Sequence, residues 1–230
     1  MENRKIYVCT TVGCTRYMNE WFEMVQKLKP CKISIARDLS RSEPLPENYI
    51  PYTINYDTKK PWINYDRRHE GWLSDESILK GIIILIEDFL KSETTHFLHI
   101  DSDVILGDTL IATLLNSKWD YLQLPVPVVP RESLDGIMIY WDSMNFGISK
   151  SIAEKILPGL KEQTLHPYPL DIQIHENIRR HLSPSDLRLI LLEAEVYHHI
   201  SYLGGKKVFA LDIIRAGGIV SLKKFMQSDA

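Results

Sequence analysis

The sequence predicts an α/β domain: a three-layer sandwich with a mostly parallel central sheet and helices on both faces. Two observations carry this prediction. Short runs rich in β-branched residues alternate with segments of helical periodicity over residues 1–120. The 230 residues, of which 44% are hydrophobic, suffice for one domain with a full core.

Each element follows from local patterns. Strands are predicted over residues 6–12, 32–36, 52–56, 95–100, 121–129, 145–148, 187–192 and 196–201. Helices are predicted over residues 19–29, 75–90, 107–116, 150–157 and 170–181, with Ser74 as the cap of the second. Pro125 and Pro127 predict that the strand over residues 121–129 is short or lies at a sheet edge.

Composition excludes several classes of protein. The net charge is −3, which argues against a nucleic-acid-binding protein. The longest apolar run is far below the ~20 residues that a membrane span needs. Residues 204–230 nevertheless carry a net charge of +3. We therefore expect no membrane span, although this basic tail allows a peripheral membrane contact.

Cysteine usage and the N-terminus predict the compartment. The three cysteines, Cys9, Cys14 and Cys31, form no Cys-x-x-Cys pair, and free thiols fit a reducing environment. The apolar run at residues 6–9 is too short for a signal peptide. We expect a cytoplasmic protein.

Several common catalytic motifs are missing. The sequence contains no Gly-x-Gly and no Gly-Lys-Ser/Thr, which excludes the dinucleotide fingerprint and the P-loop. Residues 147–151 miss the Gly-x-Ser-x-Gly nucleophile motif at the last position, and His175-Glu176 does not continue as a metalloprotease motif.

The most informative segment is FLHIDSDV at residues 97–104, where an apolar strand leads into Asp101 and Asp103. If the backbone stays extended, both carboxylates point to one face. Ligands of α/β sheets bind beyond the carboxyl ends of strands, and two close carboxylates favour a cation such as Mg²⁺ or Mn²⁺ between them. The alternative is a turn Asp followed by a helix-capping Asp. A haloacid dehalogenase signature is disfavoured because Ile105 stands where that pattern has Thr or Val.

FLHIDSDVIL resembles the Asp-x-Asp segment of the GT-A fold glycosyltransferases, the nucleotide-diphospho-sugar transferases. The resemblance implies that Asp103 ligates a metal on the donor diphosphate and that Asp101 contacts the donor ribose or a metal-bound water. It implies that the first strand, with Thr10, lies beside the nucleotide and that Asp38 meets the base or ribose. Mn²⁺ or Mg²⁺ is the implied cofactor.

Later segments resemble the same family in the same order. Asn145-Phe146-Gly147 is similar to its Asn-x-Gly strand, where the Asn lines the sugar pocket and the Gly lets the chain pass close; the alternative is a plain turn. Asp171 is similar to the acidic residue that faces sugar and acceptor, which is the general base in inverting members. The alternative for Asp171 is a helix N-cap.

The last part of the resemblance lies near the C-terminus. His198 or His199 corresponds to the late histidine that completes the metal site. Spacing slightly favours His198, although Ser201 replaces the family's glycine. Lys206 is placed to meet the diphosphate, or else belongs to a solvated basic turn.

The resemblance implies one domain over residues 1–230: a nucleotide-binding half (1–120), an acceptor-side half (121–203) and the basic tail (204–230). It implies a metal-dependent glycosyltransferase that uses a nucleoside-diphosphate sugar and a glycan, protein or lipid acceptor, with inversion or retention undecided. A sugar-nucleotide nucleotidyltransferase and a non-catalytic nucleotide-sugar-binding module of the same fold are the alternatives.

Overall fold

The structure is a computed structural model that describes residues 4–12, 15–40, 45–59, 75–124, 126–128, 139–141, 144–163, 170–191, 196–198, 201–203 and 206–208. The strands are β1 Ile6–Thr11, β2 Lys32–Asp38, β3 Thr53–Tyr56, β4 His96–His99, β5 Val104–Leu106, β6 Tyr121–Gln123, β7 Val126–Val128, β8 Ile139–Trp141, β9 Phe146–Ser149, β10 Arg188–Ile190, β11 Val196–His198, β12 Ser201–Leu203 and β13 Lys206–Val208. The α-helices are α1 Met18–Lys27, α2 Asp75–Lys91, α3 Asp108–Asn116, α4 Lys150–Lys161 and α5 Leu170–His181.

A seven-stranded sheet in the order β10-β6-β9-β4-β1-β2-β3 forms the middle layer. Its neighbouring strands are parallel except where β9 pairs with β4 and β6. The predicted α/β class with a mostly parallel sheet is confirmed. Because this sheet takes strands from β1 to β10, both predicted halves of the domain contribute to it.

Helices cover both faces of the sheet. Buried side chains of α1 and α3 pack on one face with those of β5 and β11. Buried side chains of α2, α4 and α5 pack on the other face. The apolar periodicity of α2 buries Ile82, Leu85, Ile86 and Phe89 completely, while its predicted cap, Ser74, lies outside the described residues. The three-layer prediction is therefore confirmed.

Two predicted strands are divided in the structure. The run over residues 121–129 forms β6 and β7, which belong to different sheets, and Pro127 lies in β7 opposite Tyr140. It is short, as predicted, but β6 lies inside the sheet between β10 and β9. The run over residues 196–201 likewise forms β11, which pairs with β5, and β12, which pairs with β13.

Gly147 allows close packing in the middle of the sheet. A Cβ atom at this position would lie 2.7 Å from Cζ3 of Trp119 and 3.2 Å from the carbonyl oxygen of Phe97. The glycine therefore leaves room for the Trp119 ring against β9.

Among the described residues, no helix is both long and apolar enough to cross a membrane. Cys9 is a buried free thiol and Cys31 an exposed one, and Cys14 lies outside the described residues.

Candidate active site

The candidate site lies where the ends of β1, β4 and β9 meet. Parallel strands β1 and β4 bring Thr11 and Asp101 to the same edge of the sheet, because their carboxyl ends point the same way. Strand β9 runs antiparallel to β4, so Asn145, just before β9, lies at that edge too. Beyond the carboxyl ends of such strands is the usual ligand position in α/β sheets.

The two acidic residues belong to a turn. The backbone N–H of Val104 donates a hydrogen bond of 3.0 Å to the carbonyl oxygen of Asp101, which closes a four-residue turn. Ser102 is buried, while Asp101 and Asp103 are half-buried. The condition of an extended backbone, on which a shared face of the two carboxylates depended, is therefore not met, and Asp101 opens a turn, as in the first part of the alternative interpretation.

Asp101 is held by Asn145 through two hydrogen bonds. The backbone N–H of Asp101 donates to Oδ1 of Asn145 at 2.9 Å, and Nδ2 of Asn145 donates to Oδ2 of Asp101 at 3.2 Å. Asn145 is completely buried, and its carbonyl oxygen accepts the N–H of Leu124. The structure thus brings together two residues that two separate segments of the sequence supplied as site candidates, 44 positions apart.

The residue before Asp101 is fixed from two further elements. The Ile100 N–H donates to the Cys9 carbonyl oxygen at 3.0 Å, and the Trp21 indole N–H donates to the Ile100 carbonyl oxygen at 3.1 Å. Trp21 is fully buried on α1. Strand β1, helix α1 and the residue before β9 therefore all set the position at which the acidic turn begins.

His99 is a functional candidate that the sequence analysis missed. It is fully buried, its Nδ1 lies 2.6 Å from the carbonyl oxygen of Met144, and its Nε2 lies 3.2 Å from the backbone nitrogen of Thr11. Burial lowers the pKa of His99 to about 4, against the opposing effect of the hydrogen bond with Met144. The signal in the sequence was a histidine that follows Phe97 and Leu98 in a buried strand, two residues before Asp101.

The late histidine segment approaches the acidic turn through the backbone. Antiparallel pairing of β11 with β5 places His198 opposite Val104, the residue that follows Asp103. His199 lies outside the described residues. Lys206 opens β13, where its backbone pairs with Leu203 in a hairpin.

The two residues predicted on the nucleotide side lie at the ends of β1 and β2. Thr10 is fully buried, and its hydroxyl donates to the Thr11 carbonyl oxygen at 3.3 Å. Asp38 is also buried, at the end of β2. Neither position tests whether these residues contact a nucleotide, so that role stays a prediction.

The Asp38 carboxylate is bound by the protein itself. It accepts hydrogen bonds from the hydroxyls of Ser40, Thr58 and Ser77 and from the backbone N–H groups of Ser40 and Thr58. Burial alone would raise the pKa of this carboxyl, but the bonds from Ser77, Thr58 and Ser40 outweigh burial and lower it. Asp38 therefore joins the end of β2 to the chain after β3 and to the first turns of α2.

Asp171 is half-buried in the first turn of α5, where its Oδ1 accepts the Ile172 N–H at 2.9 Å. The residues just before α5 lie outside the described part of the chain, so the N-cap interpretation of Asp171 stays an alternative to the acidic residue that faces sugar and acceptor. His175, one turn further along α5 and on the same side, packs its ring 5.6 Å from that of Phe146, the neighbour of Asn145. The first turns of α5 therefore lie close to the site edge of the sheet.

A buried polar group underlies this part of α5, and the sequence analysis missed it too. The hydroxyl of Tyr121 donates to Oε1 of Gln123 at 3.2 Å and lies 2.6 Å from Nδ1 of His175. Gln123 pairs with Phe146 across the sheet. Polar residues at inward-facing positions of β6 were the signal that could have found this group.

The candidate metal ligands at the end of β4 are the carboxylates of Asp101 and Asp103. Within the described part of the chain, no three His, Cys, Asp or Glu side chains are arranged to hold a metal ion. The carboxylates of Asp101 and Asp103 offer the hard oxygen ligands that Mg²⁺ and Mn²⁺ take together with phosphate oxygens. These two residues fit such an ion chemically, and the ion itself is a proposal.

Comparisons with known proteins were made on sequence and on structure. No protein-family model and no curated protein matches the sequence. The structure is similar to 2-C-methyl-D-erythritol 4-phosphate cytidylyltransferase from Thermus thermophilus, with a TM-score of 0.50 and 10% identity over 83% of this chain and 90% of that one.

Two other solved structures are similar at lower scores. A putative glucose-1-phosphate thymidylyltransferase from Bacillus anthracis, in complex with a sucrose, has a TM-score of 0.49 and 10% identity over 95% of this chain and 93% of that one. The apo-form glycosyltransferase GlyE of Streptococcus pneumoniae has a TM-score of 0.48 and 11% identity over 99% of this chain and 64% of that one.

The site and the comparisons define an α/β fold with a polar strand-end site. More particularly, the chain shares the fold of the cytidylyltransferase, which is the nucleotide-diphospho-sugar transferase fold, also called GT-A-like. At 10% identity to the cytidylyltransferase the likeness shows the fold, and the reaction must be argued from the site.

Proposed function

We propose that this chain is a metal-dependent glycosyltransferase that moves a sugar from a nucleoside-diphosphate sugar to a hydroxyl group of a glycan, protein or lipid acceptor. The observation that carries the proposal is the paired hydrogen bonding of Asn145 with Asp101 at the end of β4. This pair fixes an acidic turn at the ligand-binding edge of a GT-A-like sheet. A fixed turn of this kind binds without reorganisation when the donor arrives.

In this proposal Asp103 and one of His198 and His199 hold Mn²⁺ or Mg²⁺, and Asp101 contacts the donor ribose or a water on the ion. The ion, when bound, neutralises the charge that develops on the leaving diphosphate. Pairing of β11 with β5 supports this ligand set, since it brings the His198 backbone beside the residue after Asp103.

The remaining residues act on the two substrates. Thr10 and Asp38 lie on the nucleotide side, and Lys206 faces the diphosphate. Asp171 takes the proton of the acceptor hydroxyl if the reaction inverts configuration. If the reaction retains configuration, Asp171 positions the transferred sugar instead.

The test is a panel of nucleotide sugars incubated with Mn²⁺ and scored for release of nucleoside diphosphate. Release with at least one donor, lost on adding chelator, supports the proposal. A parallel assay with nucleoside triphosphates and sugar 1-phosphates, scored for pyrophosphate, detects a nucleotidyltransferase. The sequence disfavours that alternative, since residues 10–14 contain one glycine instead of a glycine-rich loop. Binding of a nucleotide sugar with no product in either assay would indicate a non-catalytic binding module.

A further inference from the structure

His99 lies at the centre of the hydrogen bonds that surround the acidic turn, although it does not belong to the turn. Its Nδ1 faces the Met144 carbonyl oxygen at 2.6 Å, and its Nε2 faces the Thr11 backbone nitrogen at 3.2 Å and the Thr11 hydroxyl at 3.1 Å. The ring stacks on that of Phe146, with centroids 5.8 Å apart. One buried side chain therefore contacts β1, the residue before Asn145, and β9.

The partners of His99 determine which nitrogen carries its proton. A backbone N–H can only donate, so Nε2 accepts from Thr11. A carbonyl oxygen can only accept, so Nδ1 carries the hydrogen and donates to Met144. His99 is therefore neutral, with a donor directed at the chain before β9 and an acceptor directed at β1.

The hydrogen bond that His99 donates through Nδ1 connects it to the candidate site. Met144 precedes Asn145, whose amide holds both the backbone and the carboxylate of Asp101. Asp101 in turn lies two residues after His99. The bonds form a closed ring in which His99 sets the position of the Met144 peptide, and that peptide sets the position of the Asn145 amide.

We propose that His99 is a positioning residue for the donor site: by donating to Met144, it holds the Asn145 amide against Asp101 and so fixes the acidic turn in its binding geometry. This inference rests on the proposed function. Residues of this kind, one step removed from a ligand, typically change metal affinity or activity by about 10–100-fold when they are replaced.

Two substitutions separate the donor from the acceptor of His99. In His99→Asn the side-chain amide nitrogen stands near the position of Nδ1 and can donate to Met144. In His99→Gln the side-chain oxygen reaches the region of Nε2 and can accept from Thr11, but no donor faces Met144. Both variants replace a buried ring by a smaller amide, so both lose the packing on Phe146.

The experiment measures binding of UDP, GDP, CDP and dTDP in the presence of Mn²⁺ by calorimetry, first to the wild-type chain and then to both variants. With the nucleotide that binds best, His99→Gln should weaken binding about tenfold or more, and His99→Asn should stay much closer to the wild type. Thermal unfolding of both variants shows how far each is destabilised. Equal binding losses in the two variants would overturn the inference and leave a packing role for the ring.

Asn145→Ala provides a second measurement. If His99 acts through Asn145, the Gln substitution should add little further loss of binding in the Asn145→Ala background, since the group that it positions is gone. Additive losses would mean that His99 acts by another route, and the inference would be wrong.

His96 supplies the matched control. It begins β4 at the opposite end, about 10 Å away along the strand, and its Nε2 lies 3.0 Å from the Trp119 carbonyl oxygen. His96→Asn and His96→Gln should leave nucleotide binding equal to that of the wild type. If the wild-type chain binds none of the four nucleotides, the proposed function fails and this inference fails with it. A wild-type chain that binds, with the two His99 variants alike, contradicts the inference alone.

Discussion

Asn145 holds Asp101 by two hydrogen bonds, one to the backbone N–H at 2.9 Å and one to the carboxylate at 3.2 Å. The first bond fixes the start of the acidic turn, and the second fixes the orientation of its carboxylate. A single buried amide therefore couples the end of β4 to the start of β9, and the first prediction tests this coupling.

Asn145→Ala should destabilise the chain by about 1–3 kcal/mol, because the Asp101 N–H loses its acceptor in a buried environment. It should also weaken Mn²⁺-dependent binding of the nucleotide sugar, because the turn loses its fixed position. Urea unfolding and calorimetry measure the two effects. Asn116→Ala, at an exposed position of α3, is the control and should change neither. Undiminished binding by Asn145→Ala would show that the pair has no role in the site.

Donor turnover should require a divalent cation, and binding of that cation should depend on Asp103. Excess chelator should abolish release of nucleoside diphosphate, and added Mn²⁺ or Mg²⁺ should restore it. Asp103→Asn should lose more than the roughly 10–100-fold that outer residues of a metal site contribute, while its unfolding midpoint stays close to the wild type. Asp108→Asn, at an exposed residue of α3 paired with Lys27, should keep full activity. Activity that persists in excess chelator would disprove the metal assignment.

One of the two late histidines should be a metal ligand. His198→Ala and His199→Ala should therefore differ, with about a tenfold or larger loss of Mn²⁺-dependent nucleotide binding in one and little change in the other. Titration calorimetry with Mn²⁺ and nucleotide measures both. His181→Ala, in the last turn of α5, is the control for loss of an imidazole. Small and equal effects at positions 198 and 199 would exclude both residues as ligands.

Asp171→Asn should show whether the Asp171 carboxylate acts as a general base or only supports the structure of α5. A base acts only when the acceptor attacks, so its loss should lower turnover by about 10²–10⁴-fold and leave donor affinity unchanged. Turnover at saturating donor and donor affinity are the two measurements. Glu176→Gln, which changes an exposed carboxylate on the same helix, should leave both unchanged. Loss of both affinity and turnover in Asp171→Asn would instead indicate a residue that positions the sugar.

Asp38 should stabilise the fold in a pH-dependent way. Its hydrogen bonds place the pKa of the folded state below that of the unfolded chain, about 3.9. As the pH falls, the unfolded state therefore takes up this proton before the folded state does. The stabilisation is complete at neutral pH and is progressively lost below about pH 4. Asp38→Asn should cost about 1–3 kcal/mol at pH 7, and this difference from the wild type should shrink as the pH falls from 5 to 3.

Urea unfolding at several pH values measures this difference. Asp57→Asn, at an exposed turn residue whose carboxylate accepts the Lys59 N–H, should show no such dependence. A difference that stays constant with pH would contradict the role of the Asp38 carboxylate. Nucleotide binding by Asp38→Asn at neutral pH shows in addition whether the residue contacts the donor.

Local patterns in the sequence determined the five α-helices and the strands of the seven-stranded sheet, in their order, but not β5, β8 and β13. The apolar periodicity of α2 and the β-branched runs of β1 and β2 depend on neighbours within a few residues, and such patterns can be read without the fold. The position of Asp101 and Asp103 after an apolar strand is local in the same sense. Strand boundaries at β6 and β11 were predicted less well, because the chain passes there from one sheet to another. Such a change of sheet depends on which strands pair, and local patterns do not contain that information.

Only the tertiary structure decided how the site is held. His99 contacts Thr11 and Met144, which are 88 and 45 residues away in the chain, and Asp38 binds Ser77 at a separation of 39. No periodic pattern in the sequence predicts such contacts, since they arise when strands β1, β4 and β9 and helix α2 pack side by side. The turn at Asp101 was decided in the same way: the sequence placed two carboxylates at a strand end and left an extended backbone and a turn open, and the structure shows the turn.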